Sequence, residues 1–224
     1  VRGVLWGNLL SNTLQLGLAL AVARRGSVPR FSRTLARPLL SFGLYLVPVM
    51  LAGWVMDMSD RYFLRLFAGL DAVAVYGVGY KFGMILQIAV VWPFQLAWPA
   101  FAFGISNQPG HESTFARTLT YLTAVLLLAV VGLALIAPIG LPMLVGAAYR
   151  QAAAVIPIVA LAYACNGIQY AVAPGVHIGG YTRWLTLVSI GSALLNVALN
   201  LVLIPRFGML GAAWSTVIAF AALA

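Results

Sequence analysis

Four charged side chains lie close together in the stretch WVMDMSDRYFLR, residues 54–65, which follows a long apolar run. On a helix, Asp57 and Arg61 meet on one face because they are four residues apart, and Asp60 lies about 60° from Asp57. Arg65 adds a further turn beside Arg61. Two interpretations are open. The group is either an ion-pair ladder that anchors a helix end, or the charged rim of a cavity in which Arg61 binds an anion. In both, we expect Asp57 to pair with Arg61.

Lys81 is a second candidate, because it lies about nine residues, or roughly 13 Å of helix, inside an apolar segment. A charged side chain so deep is costly in a membrane and by default marks a functional site. We expect Lys81 to face a polar cavity. Snorkelling toward the outer surface is the alternative.

Uncharged polar side chains form a third group within apolar segments, and they are secondary candidates for lining a cavity: Asn166, Gln169, Asn196 and Asn200, with Gln87, Gln95 and Tyr170. Inside membranes such groups usually hydrogen-bond between helices, for about 1 kcal/mol each. Binding sugar hydroxyls is their second interpretation. Aromatic residues near segment ends are typical of interfacial belts, Trp54 among them, and for Trp92 and Trp98 stacking on a sugar is also open.

Motifs for catalysis or metal binding do not appear in the sequence. It contains no HExxH pattern, and its single cysteine, Cys165, excludes a disulfide within the chain. The glycines of GVGYKFG, residues 77–83, include the GxxxG pair Gly79 and Gly83, which predicts close helix packing and not a phosphate loop. We therefore expect a protein that is not an enzyme and has no cofactor and no metal.

The composition defines the elements that must position these residues. The chain is 63% hydrophobic and 8% charged, whereas soluble domains carry about 25% charged residues. Its apolar runs have the length of membrane helices. We predict an all-α integral membrane protein with about seven transmembrane helices, near 3–23, 39–66, 73–103, 119–145, 152–176, 184–204 and 208–224.

The net charge of +9 is best explained by cytoplasmic loops, so we expect no nucleic-acid partner. The linker 24–37 contains five arginines and no acid, which predicts that it is cytoplasmic. Short linkers favour antiparallel neighbours, so the linkers 104–118 and 177–183 should be cytoplasmic too. The expected location is the cytoplasmic membrane.

Three stretches resemble the polysaccharide-transport flippases of the multidrug/oligosaccharidyl-lipid/polysaccharide exporter superfamily. They are DRYFLRLFAGLDAVAVYGVGYKFGMIL (60–86), FQLAWPAF (94–101) and LNLVLIPRFGMLGAAWSTVIAF (199–220). The Asp-Arg and Ala-Trp-Pro motifs favour the polysaccharide branch, while the late Ile-Pro motif is shared with multidrug exporters. The resemblance extends over essentially the whole chain.

The resemblance implies a two-lobe transporter with six helices per lobe. Residues 1–23 would be the last helix of the N-terminal lobe, 24–38 the cytoplasmic inter-lobe linker, and 39–224 the C-terminal lobe with a truncated last helix. Because the chain begins at Val1 and ends within an apolar run, we expect a longer protein.

The implied activity is translocation of a polyprenyl-pyrophosphate-linked oligosaccharide by alternating access, as in O-antigen or exopolysaccharide synthesis. Arg61 and Lys81 would bind the pyrophosphate. The expected partners are this lipid-linked oligosaccharide, membrane lipids, and, by functional association, a polysaccharide polymerase and glycosyltransferases.

Two alternatives remain open. One is a drug/cation antiporter of the same superfamily, for which Asp57 and Asp60 are the plausible carboxylates. The other is a membrane-embedded glycan polymerase or glycosyltransferase.

Overall fold

A computed structural model describes residues 2–24 and 32–224, and within these ranges the chain is almost entirely helical and contains no strand. The α-helices are α1 (Arg2–Arg24), α2 (Arg33–Gly83), α3 (Trp92–Ile105), α4 (His111–Val145), α5 (Val155–Ile178) and α6 (Thr182–Leu223). A π-helix (Gln87–Val91) precedes α3, and a 3-10 helix (Ala147–Ala154) precedes α5. The predicted all-α class is confirmed. Residues 25–31 of the basic linker lie outside the described residues.

The two longest helices, α2 and α6, each fold back on themselves at a glycine. Gly69 has φ 85° and Gly208 has φ 55°, a left-handed backbone that favours glycine. In α2, Asp57 bonds to Tyr80 and Asp60 to Tyr76, so its two arms are antiparallel. In α6, Gly211 packs against the main chain of Leu203, which leaves no room for a side chain at residue 211. Gly69 lies between the predicted segments 39–66 and 73–103, and Gly208 is the first residue of the predicted segment 208–224.

Four helical stretches of the described chain are long and apolar enough to cross a membrane: Val47–Ile105, His111–Val145, Ala148–Ile178 and Trp184–Leu223. Because the first and the last contain the reversals at Gly69 and Gly208, the four stretches comprise six helical segments, two in each of these and one in each of the others. This agrees with the six segments predicted after residue 39. Helix α1 is not among the four stretches, so its predicted span stays a prediction.

Contacts divide the chain into two compact units, Val1–Gly43 and Leu44–Ala224. In the second unit α5 is the central helix, because it contacts α3, α4 and α6. Its core contains Tyr76, Tyr80 and Tyr163 among aliphatic side chains. This unit positions every candidate site residue.

The GxxxG pair packs as predicted. A Cβ on Gly79 would lie 2.8 Å from the carbonyl oxygen of Ala152, and one on Gly83 would lie 2.8 Å from Cβ of Val159. The glycines therefore bring the second arm of α2 into direct contact with the 3-10 helix and with α5.

Gly83→Ala should destabilise the protein by about 1–3 kcal/mol, because its new methyl group would overlap Val159. Gly77→Ala is the matched control on the same arm, since nothing lies within 4 Å of a Cβ there. Thermal unfolding of the purified protein in detergent measures both. Equal melting temperatures for the two variants would contradict this packing.

Candidate functional site

The site is built from the two arms of α2, and its acidic side chains point into the fold. Asp60 is 0% exposed. Its Oδ2 accepts a hydrogen bond of 2.5 Å from the hydroxyl of Tyr76, and its Oδ1 accepts one of 2.7 Å from the main-chain N–H of Arg61. A buried carboxylate requires such donors. Asp60 therefore joins the two arms of the hairpin.

Asp57 and Arg61 meet on one face of α2, as their spacing predicts, but not as an ion pair. Nη1 of Arg61 donates to the main-chain carbonyl of Asp57 at 2.7 Å. The carboxylate of Asp57 instead accepts a bond of 3.0 Å from the hydroxyl of Tyr80. The expected pairing of the two side chains is thus wrong, because Tyr80 of the opposite arm supplies the donor.

Tyr80 also supports the guanidinium group. The ring centroid of Tyr80 lies 4.6 Å from Cζ of Arg61, a cation–π geometry. The ring in turn contacts Tyr76 and Tyr163, with centroids 5.6 and 5.9 Å away. The guanidinium of Arg61 therefore rests on an aromatic ring of the core, and most of its five N–H donors remain available.

The basic side chains point away from the fold. Arg65 and Lys81 are exposed and Arg61 is half-buried. Among residues 2–24 and 32–224, neither Arg65 nor Lys81 has a hydrogen-bond or ion-pair partner. We name the surface that Trp54, Met58, Arg61, Arg65 and Lys81 share the cationic face.

The packing of both arms shows that these residues share one side of the hairpin. On the second arm Gly79 and Gly83 contact the 3-10 helix and α5, and Tyr80 faces the first arm. Lys81 therefore lies on the flank away from α5, since each residue turns about 100°. On the first arm Met56 is buried in a cluster with α5 and α6 residues. Arg61 comes five residues after Met56, so its side chain points about 140° away from that of Met56. Arg61 therefore lies on the same flank of the hairpin as Lys81.

The secondary polar candidates divide into two sets. Asn196 and Asn200 form a hydrogen-bonded cluster with Ser59 of α2, in which Nδ2 of Asn196 and Oδ1 of Asn200 have no partner among the described residues. The hydroxyl of Ser59 donates to Oδ1 of Asn196 at 2.6 Å, and Nδ2 of Asn200 donates to Ser59 Oγ at 3.0 Å and to Asn196 Oδ1 at 3.1 Å. These asparagines connect α6 to α2, which is the interhelical role that was expected.

The other set lies on or beside α5. Asn166 is buried without a hydrogen-bond partner among the described residues, and Gln169 is half-buried in a small apolar groove beside Trp184. The side-chain oxygen of Gln87 is also buried and unpartnered within the described part of the chain. The structure does not bring this set to the cationic face.

Trp98 is not an interfacial residue. It is 5% exposed, and its indole N–H donates to the main-chain oxygen of Ala171 at 2.9 Å. The Ala-Trp-Pro motif thus connects α3 to α5, which makes a sugar-stacking role for Trp98 untenable in this structure.

Sequence reasoning missed Tyr76, Tyr80 and Ser59 as partners of the polar groups. The first two lie one turn apart on the second arm, a spacing that suits two acids one turn apart on the first arm. That signal becomes readable once the chain is known to reverse at Gly69.

Tyr76→Phe should destabilise the fold by about 1–3 kcal/mol, because it removes one of the two donors of the buried Asp60 carboxylate. Tyr62→Phe is the matched control, since Tyr62 is 67% exposed. Melting temperatures in one detergent compare the two. An unchanged melting temperature for Tyr76→Phe would show that the hydrogen bond from Tyr76 to Asp60 does not stabilise the fold.

Comparison with known proteins was consistent with the resemblance seen in the motifs. Residues 1–103 match the family model described as polysaccharide biosynthesis protein. An uncharacterized membrane protein of Methanocaldococcus jannaschii is 28% identical over 200 residues, which cover 85% of this chain and 38% of that protein. No solved structure matches the chain. Residues 1–103, the part of the chain that contains the cationic face, are therefore similar to the polysaccharide biosynthesis protein family, which agrees with the resemblance that the motifs predict.

Proposed function

We propose that this chain is part of a flippase that moves a polyprenyl-pyrophosphate-linked oligosaccharide across the cytoplasmic membrane by alternating access. The observation that carries the proposal is the separation of charge on the α2 hairpin. Asp57 and Asp60 are bonded to tyrosines on the inside, while Arg61, Arg65 and Lys81 form the cationic face on the outside.

The separation leaves no acidic side chain among the residues of the cationic face. Charged groups facing lipid are costly, so a face of this kind needs water or an anionic ligand in front of it. A pyrophosphate has the required charge. The guanidinium of Arg61 offers a fork of donors, and Lys81 offers a mobile point charge.

Arg61 is also well prepared for binding. Its bond to the carbonyl of Asp57 and its stacking on Tyr80 fix the guanidinium before any ligand arrives. A group that is already ordered loses less entropy when it binds. Lys81 lacks such support and supplies charge rather than direction.

The wider architecture is part of the same proposal. Residues 1–23 would end the first lobe, 24–38 would be a cytoplasmic linker, and 39–224 would form the second lobe. The chain spans 38% of the length of its archaeal relative, so the activity of the whole protein is part of what we propose. The polyprenyl tail would stay in the bilayer.

The family match and the state of the acids favour this function over cation-coupled drug export. Asp60 is enclosed and accepts two hydrogen bonds, and Asp57 is engaged by Tyr80. Asp60 is fully buried, and Asp57 is only partly exposed. The matched family concerns polysaccharide biosynthesis.

Lys81→Ala should reduce export of surface polysaccharide by about tenfold or more, since a charge-assisted bond contributes about 1.5–3 kcal/mol. The assay complements cells that lack the transporter with the full-length protein, and immunoblotting normalises its amount. Lys81→Arg should keep most activity. Arg150→Ala is the control, because Arg150 is exposed on the 3-10 helix. Normal export by a well-expressed Lys81→Ala protein would refute the proposal.

A further inference from the structure

The cationic face contains one aromatic side chain that the charge argument does not use. Trp54 is 63% exposed, and it lies seven residues before Arg61. Two helical turns separate them, so their side chains point within about 20° of each other and about 10 Å apart along α2. Trp54 therefore flanks the proposed anion site on its own helix.

The register of the hairpin also places Trp54 beside Lys81. Because Asp57 bonds to Tyr80, Lys81 lies across from residues 55–56 of the first arm. The difference in level between Lys81 and Trp54 is then about 3 Å. Lys81, Arg61 and Trp54 thus surround one patch of the exposed surface.

The other tryptophans of the described chain do not share this arrangement. Trp98 is buried. Trp92 is separated from Lys81 by the π-helix, which breaks the α-helical register that would align the two. Trp6, Trp184 and Trp214 are exposed on α1 and α6. A lipid-facing belt explains those positions without a ligand.

We propose that Trp54 is a stacking platform for the first sugar ring of the cargo, the ring bonded directly to the pyrophosphate. This inference rests on the proposed flippase function. A pyranose presents an apolar C–H face and a rim of hydroxyls, which suits a large, flat and amphipathic indole. A pyrophosphate and the ring bonded to it extend over a length comparable to the distance from Arg61 to Trp54.

Two functions follow for one surface. Arg61 and Lys81 bind any polyprenyl pyrophosphate, because they recognise its charge. Trp54 distinguishes a sugar-loaded lipid from a bare one, because a bare pyrophosphate has no ring to stack. The site would thereby select loaded cargo over the recycled carrier.

The test uses the full-length protein in nanodiscs and two probes. One is a short-chain polyprenyl pyrophosphate with a single N-acetylglucosamine, and the other is the same lipid pyrophosphate without the sugar. Binding affinities are measured for the wild type, Trp54→Ala, Trp54→Phe and Lys81→Ala. Trp184→Ala is the matched control, since Trp184 is also 63% exposed but lies on α6, outside the cationic face.

We expect Trp54→Ala to weaken binding of the sugar-bearing probe by about three- to tenfold and to leave the sugar-free probe unchanged. Trp54→Phe should retain part of the preference for the sugar-bearing probe over the sugar-free probe. Trp184→Ala should retain all of this preference. Equal losses for both probes, or no loss for either, would overturn the proposal and identify Trp54 as a membrane anchor. A wild type that binds both probes equally would overturn it as well.

The failure of the underlying function would look different. Lys81→Ala should weaken both probes, because both carry the pyrophosphate. If Lys81→Ala weakens the binding of neither probe, the cationic face does not bind the cargo and the proposed function fails. If Lys81→Ala weakens the binding of both probes while Trp54→Ala changes the binding of neither, the proposed function stands and the stacking platform is refuted.

Discussion

The structure of the second unit depends on how a buried carboxylate is satisfied. Asp60 has no access to solvent, and in an apolar interior an unpaired carboxylate would cost several kcal/mol. The Tyr76 hydroxyl and the Arg61 amide supply its two donors. Because Tyr76 lies on the opposite arm, this bond also determines how the arms of α2 face each other.

The position of Asp60 determines the positions of the other charges. With Asp60 toward Tyr76 and Asp57 toward Tyr80, helical geometry turns Arg61 and Arg65 to the free flank of the hairpin. Gly79 and Gly83 allow the second arm to pack directly on the 3-10 helix and on α5. Because of this packing, Lys81 lies on the same flank as Arg61 and Arg65. Packing of small and aromatic residues thereby separates acids from bases without any ion pair between Asp57 and Arg61.

Polar groups elsewhere in the unit act mainly as contacts between helices. Ser59 with Asn196 and Asn200 joins α2 to α6, and the indole of Trp98 joins α3 to α5. In a membrane, where hydrophobic association between helices is weak, such bonds and close glycine contacts provide much of the specificity. The chain thus uses its few neutral polar residues for architecture and keeps its bases on the surface.

The sequence alone determined the class of the protein, the approximate positions of six of its helical segments and the residues that carry charge. These follow from apolar run length, glycine positions and composition, which are local properties. The resemblance of its motifs to polysaccharide transporters was likewise readable from short stretches. The roles of Asn196 and Asn200 followed from the general behaviour of asparagine in membrane helices.

The tertiary structure alone decided which charged groups face inward and which partners they have. Asp57 and Arg61 look like an ion pair in the sequence because their spacing is right, but the nearest donor to Asp57 comes from Tyr80, 23 residues later. Trp98 and Trp54 look alike as residues near segment ends, yet one is buried and the other exposed on the cationic face. Contacts between residues far apart in the chain decide these outcomes, and local spacing contains no information about them until the reversal at Gly69 is known.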